Sequence, residues 1–340
     1  MKKALYTLIL IALPSFVMAE GAKDLYLASI GGYGTEKGKF KNPQSVTVNL
    51  AGDIFVIDSE NNRIQVFNGE GSLKKVFTNK KLNRPSGIAV DKKGNIFITD
   101  CSSDRVYKFS SSYSLIKSWG GRGEIYMDSE EDDIKKLNGK FDCPYGITVD
   151  NDGNLFVTDL YNKRIQKFTN NGKFIKAFGK ETDPQSGGEI LEGRRGSADK
   201  VTFRFPTSIA YGNEKIFITD TLNNRVQVFS TDGDYIKTIG GPDTPSVRLD
   251  SPSTVATDKD GNIYIGSFKK NNIFVLDKHY VRKTYFGNKG IGQMEFQGVS
   301  SIDVDDEGSI YVADYLNHRV KKFKSPFHQN SKQKEKDSAP

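Results

Sequence analysis

With three histidines and two cysteines in 340 residues, the sequence lacks the ligands for a His/Cys zinc centre before any motif is sought. It also lacks a run of about 20 apolar residues, the length a membrane-spanning helix needs. Its longest apolar stretch, Ala4 to Leu13, stops at Pro14. Charge of one sign is scarce as well. The formal charge is +7, but Lys2 and Lys3 and the last twenty residues hold most of it, so the body from Glu20 to Val320 carries only +1. A nucleic-acid binder needs a basic stripe that displaces counterions along the phosphates. No nucleic acid is therefore expected as a partner.

What remains describes an exported β-protein. Met1-Lys2-Lys3, a ten-residue apolar core and the Val17-Met18-Ala19 end form a secretory signal peptide over residues 1–19. The expected location is periplasmic or secreted, with no stable membrane span after cleavage. Only 36% of residues are hydrophobic, while 33 glycines exceed the usual share of about 7%. That mix favours short strands and tight turns. Residues 325–340, rich in Lys, Ser and Gln, read as a basic, solvated tail. Residues 20–324 remain as the folded domain.

One phrase recurs six times in that domain. It runs Pro-x-x-Ile-x-Val-Asp, a Gly-Asn turn, an apolar run ending in Asp, a polar tip, then Arg and a strand ending in Phe. The aspartates are Asp58, Asp100, Asp159, Asp220 and Asp314; five residues after each stand Arg63, Arg105, Arg164, Arg225 and Arg319. The fifth copy has Ser267 and Asn272 in these places, and Pro43, Pro85, Pro144, Pro206, Pro252 and Val299 open the six copies. Successive copies begin 42, 59, 62, 46 and 47 residues apart. Period-2 runs such as Ile96-Phe-Ile98 and Val106-Tyr-Lys-Phe109 predict four antiparallel strands per copy. Six such sheets around an axis make an all-β, six-bladed β-propeller.

Asp220-Thr-Leu-Asn-Asn-Arg225-Val-Gln-Val-Phe229, Asp58-Ser-Glu-Asn-Asn-Arg63 and Asp314-Tyr-Leu-Asn-His-Arg319 resemble the signature of the NHL-repeat propellers. The resemblance covers residues 22–324 and implies this fold. It says little of function, since such propellers serve as scaffolds, receptors and enzymes. Ring closure follows from spacing. Asp24 to Ile30 is similar to the outer strands, and Gly31 to Phe40 spans nine residues, as does Gly287 to Phe296. The sixth copy ends after three strands, so the N-terminal strand is expected to complete blade six.

Carboxylate–guanidinium pairs that recur in nearly every blade are expected to be structural, because an active site occurs once. The fifth copy loses both partners together, as mutual neutralisation requires. Asp150-Asn-Asp-Gly-Asn154 and Asp258-Lys-Asp-Gly-Asn262 echo a calcium loop, but the glycine stands fourth and the distal glutamate is missing, so they read as hairpin turns. The inner strands place Thr47, Ala89, Thr148, Ala210, Ala256 and Asp303 at one level, where Asp303 alone is ionisable. One carboxylate does not make a metal site, and no metal or cofactor is expected. Cys101 and Cys143 fall on one face of adjacent blades, where they either form a disulfide or remain two buried thiols.

Two long junctions, 120–140 and 180–202, share a face with the tips between second and third strands. Those tips carry Leu160, Tyr161, Leu222, Phe268, Tyr315 and Leu316. Aromatic and aliphatic side chains beside long loops point to recognition. The expected function is an exported, non-catalytic scaffold binding an envelope or extracellular protein, peptide or glycan, with Tyr161, Leu222, Phe268 and Tyr315 as contacts. The alternative is a lactonase-like, metal-dependent hydrolase or lyase working in the channel around Asp303. RNA binding, as in some animal relatives, would require the signal to fail and a basic face to exist.

Overall fold

The computed structural model describes residues 25–126, 129–179, 202–240 and 247–328. The expected signal peptide, most of the tail and most of the 180–202 junction lie outside them.

Blade one shows how the repeat folds. Pro43–Val48, Ile54–Asp58, Arg63–Phe67 and Leu73–Phe77 pair in order as an antiparallel meander. Pro43 opens the innermost strand, where a missing N–H costs least. The turn after that strand carries Gly52 at φ 76°, a left-handed conformation that suits glycine. Ile54 to Asp58 are all buried, as expected of a strand covered on both faces. Five more four-stranded sheets repeat the pattern, their inner strands being Pro85–Val90, Pro144–Val149, Pro206–Gly212, Pro252–Thr257 and Val299–Val304.

The core is divided among the blade interfaces. One cluster joins Phe55, Ile57 and Val66 of blade one to Ile88, Ile96 and Ile98 of blade two, and corresponding clusters fill the other interfaces. Each blade entry adds one anchor three residues before the Pro slot: Phe40, Leu82, Phe141, Phe203, Leu249 and Phe296, all buried. Space beneath these anchors is tight. Gly31 has φ 106°, and a Cβ there would lie 2.3 Å from the Phe40 ring.

The ring closes as the spacing predicts. Tyr26–Gly31 pairs antiparallel with Arg319–Phe323, setting Gly31 opposite Arg319 and Tyr26 opposite Phe323. Strand order in blade six is therefore first, last, next-to-last and inner. The seam is packed like any other interface, with Ile30, Tyr311 and Val320 against Phe40, Val46 and Phe67.

Candidate functional site

Second strands run toward the loop-bearing face and end on the repeated aspartate. In blade three, Asp159 Oδ2 accepts from Arg164 Nε (2.8 Å), Asn162 Nδ2 (2.9 Å) and Gln166 Nε2 (3.0 Å), while Oδ1 accepts the Asp142 N–H (2.8 Å). Arg164 Nη2 continues to the carbonyls of Leu137 and Lys140 in the entry loop. The aspartate thus holds an arginine that holds the loop. Blade four repeats this around Asp220 and Arg225, and Asp58–Arg63 and Asp314–Arg319 pair at 2.6 and 2.9 Å. Burial pushes the Asp159 and Asp220 carboxyls up, against the pull of their arginines. In blade six Lys321 replaces the glutamine. Its ammonium lies 3.7 Å from Asp314 Oδ2, and burial holds it down to about 8.

Blade two corrects the expectation of five equivalent pairs. Asp100 accepts from the N–H groups of Asn83 and Ser103, and Arg105 Nη1 turns to Ser118 Oγ at 3.3 Å. The cause is local. Ser103 and Tyr107 occupy the places of the Asn and Gln that crowd the carboxylate elsewhere, and Tyr107 spends its hydroxyl on Lys81 O and Ser103. Blade five substitutes Ser267 Oγ, which donates to Asp250 O (2.6 Å) and accepts the Lys270 N–H.

A second contact recurs between blades. The residue four after each aspartate is left-handed, and where its side chain can accept, it receives the N–H of the residue before the next Pro slot. Asn62 takes Arg84, Asp104 takes Cys143, Asn224 takes Ser251, Asn271 takes Gly298, and across the closing seam His318 Nδ1 takes Asn42 at 3.1 Å. Lys163 breaks the series. At the neighbouring position the Sγ atoms of Cys101 and Cys143 are bonded, tying blade two to blade three.

The residues just after the Pro slot encircle the channel mouth: Gln44, Ser86, Tyr145, Thr207, Ser253 and Ser300. Ser86, Ser253 and Ser300 donate their hydroxyl protons to the Pro144, Val299 and Pro43 carbonyls of the following blade. Gln44 Nε2 instead reaches past blade two to the Tyr145 hydroxyl at 2.9 Å. Burial pushes the Tyr145 phenol up to about 12, so it stays protonated. Beside this bridge opens a cavity of about 430 Å³ lined by Phe268, Lys269, Tyr315 and the mouth hydroxyls. Phe268 and Tyr315 meet edge to face, 5.9 Å between centroids.

Of the expected contacts, this cavity gathers Phe268 and Tyr315. Tyr161, 55% exposed, stands apart against Phe205, and Leu222, 51% exposed, lies on its own tip. Leu160 is buried rather than presented at its tip. The acidic junction forms a short helix, Glu131–Lys136, whose Lys135 and Lys136 pair with Glu131, Asp132 and Asp133, so its charge is largely neutralised within the helix. Asp303 lies deeper, in a channel cavity of about 160 Å³. It accepts from Thr47 Oγ1 (2.8 Å) and from the Val48 and Val304 N–H groups (2.8 and 2.9 Å), which joins blade six to blade one; burial pushes its carboxyl up to about 6. Asp150 and Asp258 cap their own turns, each accepting the N–H groups two and four residues on. Among the described residues no group of three or more His, Cys, Asp and Glu side chains is placed to hold a metal. The ring after the Pro slot was missed in the sequence, although its column is visible in the repeat.

The family model of the NHL repeat matches residues 40–67, 82–109, 141–168 and 296–323. The chain carries four NHL repeats within a six-bladed β-propeller. Each matched segment of the NHL repeat runs from an entry anchor to the end of a third strand. The chain is 26% identical over 172 residues to NHL repeat-containing protein 3 of Homo sapiens, covering 47% of this chain and 45% of that protein. It is 26% identical over 158 residues to the protein brain tumor of Drosophila melanogaster (46% and 14%). Peptidyl-glycine alpha-amidating monooxygenase B of Xenopus laevis is 28% identical over 198 residues (53% and 20%). The chain thus spans less than half the length of each of these relatives. Among solved structures, a streptogramin B lyase superposes with TM-score 0.58 at 16% identity over 90% of this chain and 99% of that one. The virginiamycin B lyase of Staphylococcus aureus gives 0.56 at 16% over 84% and 95%. These likenesses concern the propeller fold. No helix among the described residues is long and apolar enough to cross a membrane.

Proposed function

We propose that this NHL propeller is an exported, non-catalytic binding scaffold whose loop-bearing face receives an envelope or extracellular protein, peptide or glycan. The observation that carries this reading is the open cavity at the channel mouth, where Phe268 and Tyr315 stand over a ring of polar side chains. Its size lies within the ~300–1,000 Å³ range of ligand sites, and apolar walls with a few placed polar groups suit recognition. Tyr161 and Leu222 extend the apolar contacts beyond it. The repeated ion pairs hold loops, which leaves a rigid frame beneath. Export is supported by the pattern of residues 1–19 and by the Cys101–Cys143 bond, a feature of oxidising compartments.

The test is quantitative capture from envelope extract with the full chain. Phe268→Ala and Leu222→Ala should each lower recovery of a captured species at least tenfold, while Ile116→Ala and Ile175→Ala, at exposed sites on outer strands, should leave it unchanged. Equal recovery across all four variants would overturn the assignment of this face.

A further inference from the structure

The mouth cavity carries a chemical preference that follows from its hydroxyl protons. Ser300 Oγ donates to Pro43 O (3.0 Å), Ser253 Oγ to Val299 O (2.6 Å) and Thr221 Oγ1 to Pro252 O (2.8 Å). A hydroxyl has one proton and two lone pairs. With the proton fixed on a backbone carbonyl, Ser253 and Ser300 keep lone pairs for a ligand, while Thr221 Oγ1 already meets the Thr207 hydroxyl at 2.7 Å. Tyr145 adds a hydroxyl that accepts from Gln44 and is held protonated. The lining contains no carboxylate, and its ammonium, Lys269, lies 3.8 Å from Asp250. The opposite wall is aromatic. Phe268 is 41% exposed and fixed in place, since a Cβ on Gly298 would lie 2.7 Å from its ring.

A ligand matching this wall and floor is uncharged, offers several hydroxyl donors in an arc and presents an aliphatic face to an aromatic ring. A quaternary ammonium could stack on the rings but has no proton to donate to the hydroxyl floor, and an extended peptide brings as many carbonyls as N–H groups to a floor already rich in acceptors. We infer that the cavity binds a neutral sugar ring, its C–H face against Phe268 and Tyr315 and its hydroxyls on Ser253, Ser300 and Tyr145. This rests on the reading of the face as a binding surface and names the ligand class within it.

The experiment is saturation-transfer NMR on the full chain with glucose, galactose, N-acetylglucosamine and maltose as probes, run beside glucuronic acid and a mixed tripeptide library. At least one neutral sugar should show transfer concentrated on ring C–H protons. Phe268→Ala should weaken it about tenfold, as loss of a stacking contact does, and Tyr145→Phe, which keeps the ring and the fold, several-fold. Melting curves on each variant separate lost binding from lost structure. Transfer to glucuronic acid alone, or a neutral sugar bound equally by wild type and both variants, would overturn the sugar assignment. Tripeptides bound in a Phe268-dependent way with no sugar bound would overturn it too, yet leave the binding face standing. No Phe268-dependent probe at all would overturn the sugar assignment and leave the binding face to be decided by the capture experiment.

Discussion

Lys321 stands where blades one, three and four carry Gln65, Gln166 and Gln227, and it is fully buried. Its ammonium donates to the carbonyls of Gly292 (2.7 Å), Gln293 (3.1 Å) and Glu295 and sits 4.7 Å from the Phe296 ring centroid. Burial nonetheless lowers it from 10.5 to about 8. Each unit is worth about 1.4 kcal/mol, so the buried charge costs the fold roughly 3 kcal/mol wherever both states are protonated. In the window between about 8 and 10.5 the folded lysine has given up its proton while the unfolded chain keeps it. The unfolded state then binds more protons, and wild-type stability rises with pH. Lys321→Gln does not titrate, and its amide can reach the Glu295 carbonyl as Gln65 Nε2 reaches Lys39 O. The variant is expected to be more stable than wild type at pH 7 by ~1–3 kcal/mol, after losing two carbonyl bonds, and to surrender about 2–3 kcal/mol of that lead by pH 10. Guanidinium chloride unfolding at pH 7, 8, 9 and 10, followed by the fluorescence of the sole tryptophan, Trp119, reads the difference directly. Stability differences that stay constant from pH 7 to 10 would refute the argument.

Asp159→Ala strands a buried guanidinium, two amides and a backbone N–H, and is expected to cost about 3–5 kcal/mol against less than 0.5 for exposed Glu60→Ala, measured by chemical denaturation. Arg105→Ala should cost much less than Arg164→Ala, since Arg105 has left its aspartate; equal losses would restore the pair. His318→Asn keeps an acceptor for the Asn42 N–H, as Asn62 accepts the Arg84 N–H, whereas His318→Ala has none. The asparagine variant should unfold like wild type and the alanine variant about 1–3 kcal/mol more easily by chemical denaturation; equal stability of the two variants would show that the seam ignores this bond. Reducing Cys101–Cys143, 42 residues apart, should lower stability by about 4 kcal/mol on the chain-entropy estimate, checked by melting with and without reductant.

The ring was legible because each blade restates the same constraints. Pro slots, left-handed turns and Asp/Arg spacings fix where strands begin and end, and the missing fourth strand of copy six had one candidate, Asp24 to Ile30. Blade two escaped because its ion pair depends on two further positions, Ser103 and Tyr107, that the Asp–Arg spacing ignores. The apolar residues at the tips were visible, but not which of Leu160 and Tyr161 turns inward, since a polar tip has no periodicity to orient it. The mouth cavity draws its residues from five blades, one to four each, so it has no local pattern to read.

Tyr26–Gly31 is made before the other blades, yet its partner Arg319–Phe323 is made after them. Throughout translation this six-residue segment offers bare amide and carbonyl groups to anything that passes, the circumstance in which edges aggregate or recruit chaperones. Ring closure can therefore be completed only after the ribosome has delivered the last blade, and until then the propeller is an open crescent rather than a disc.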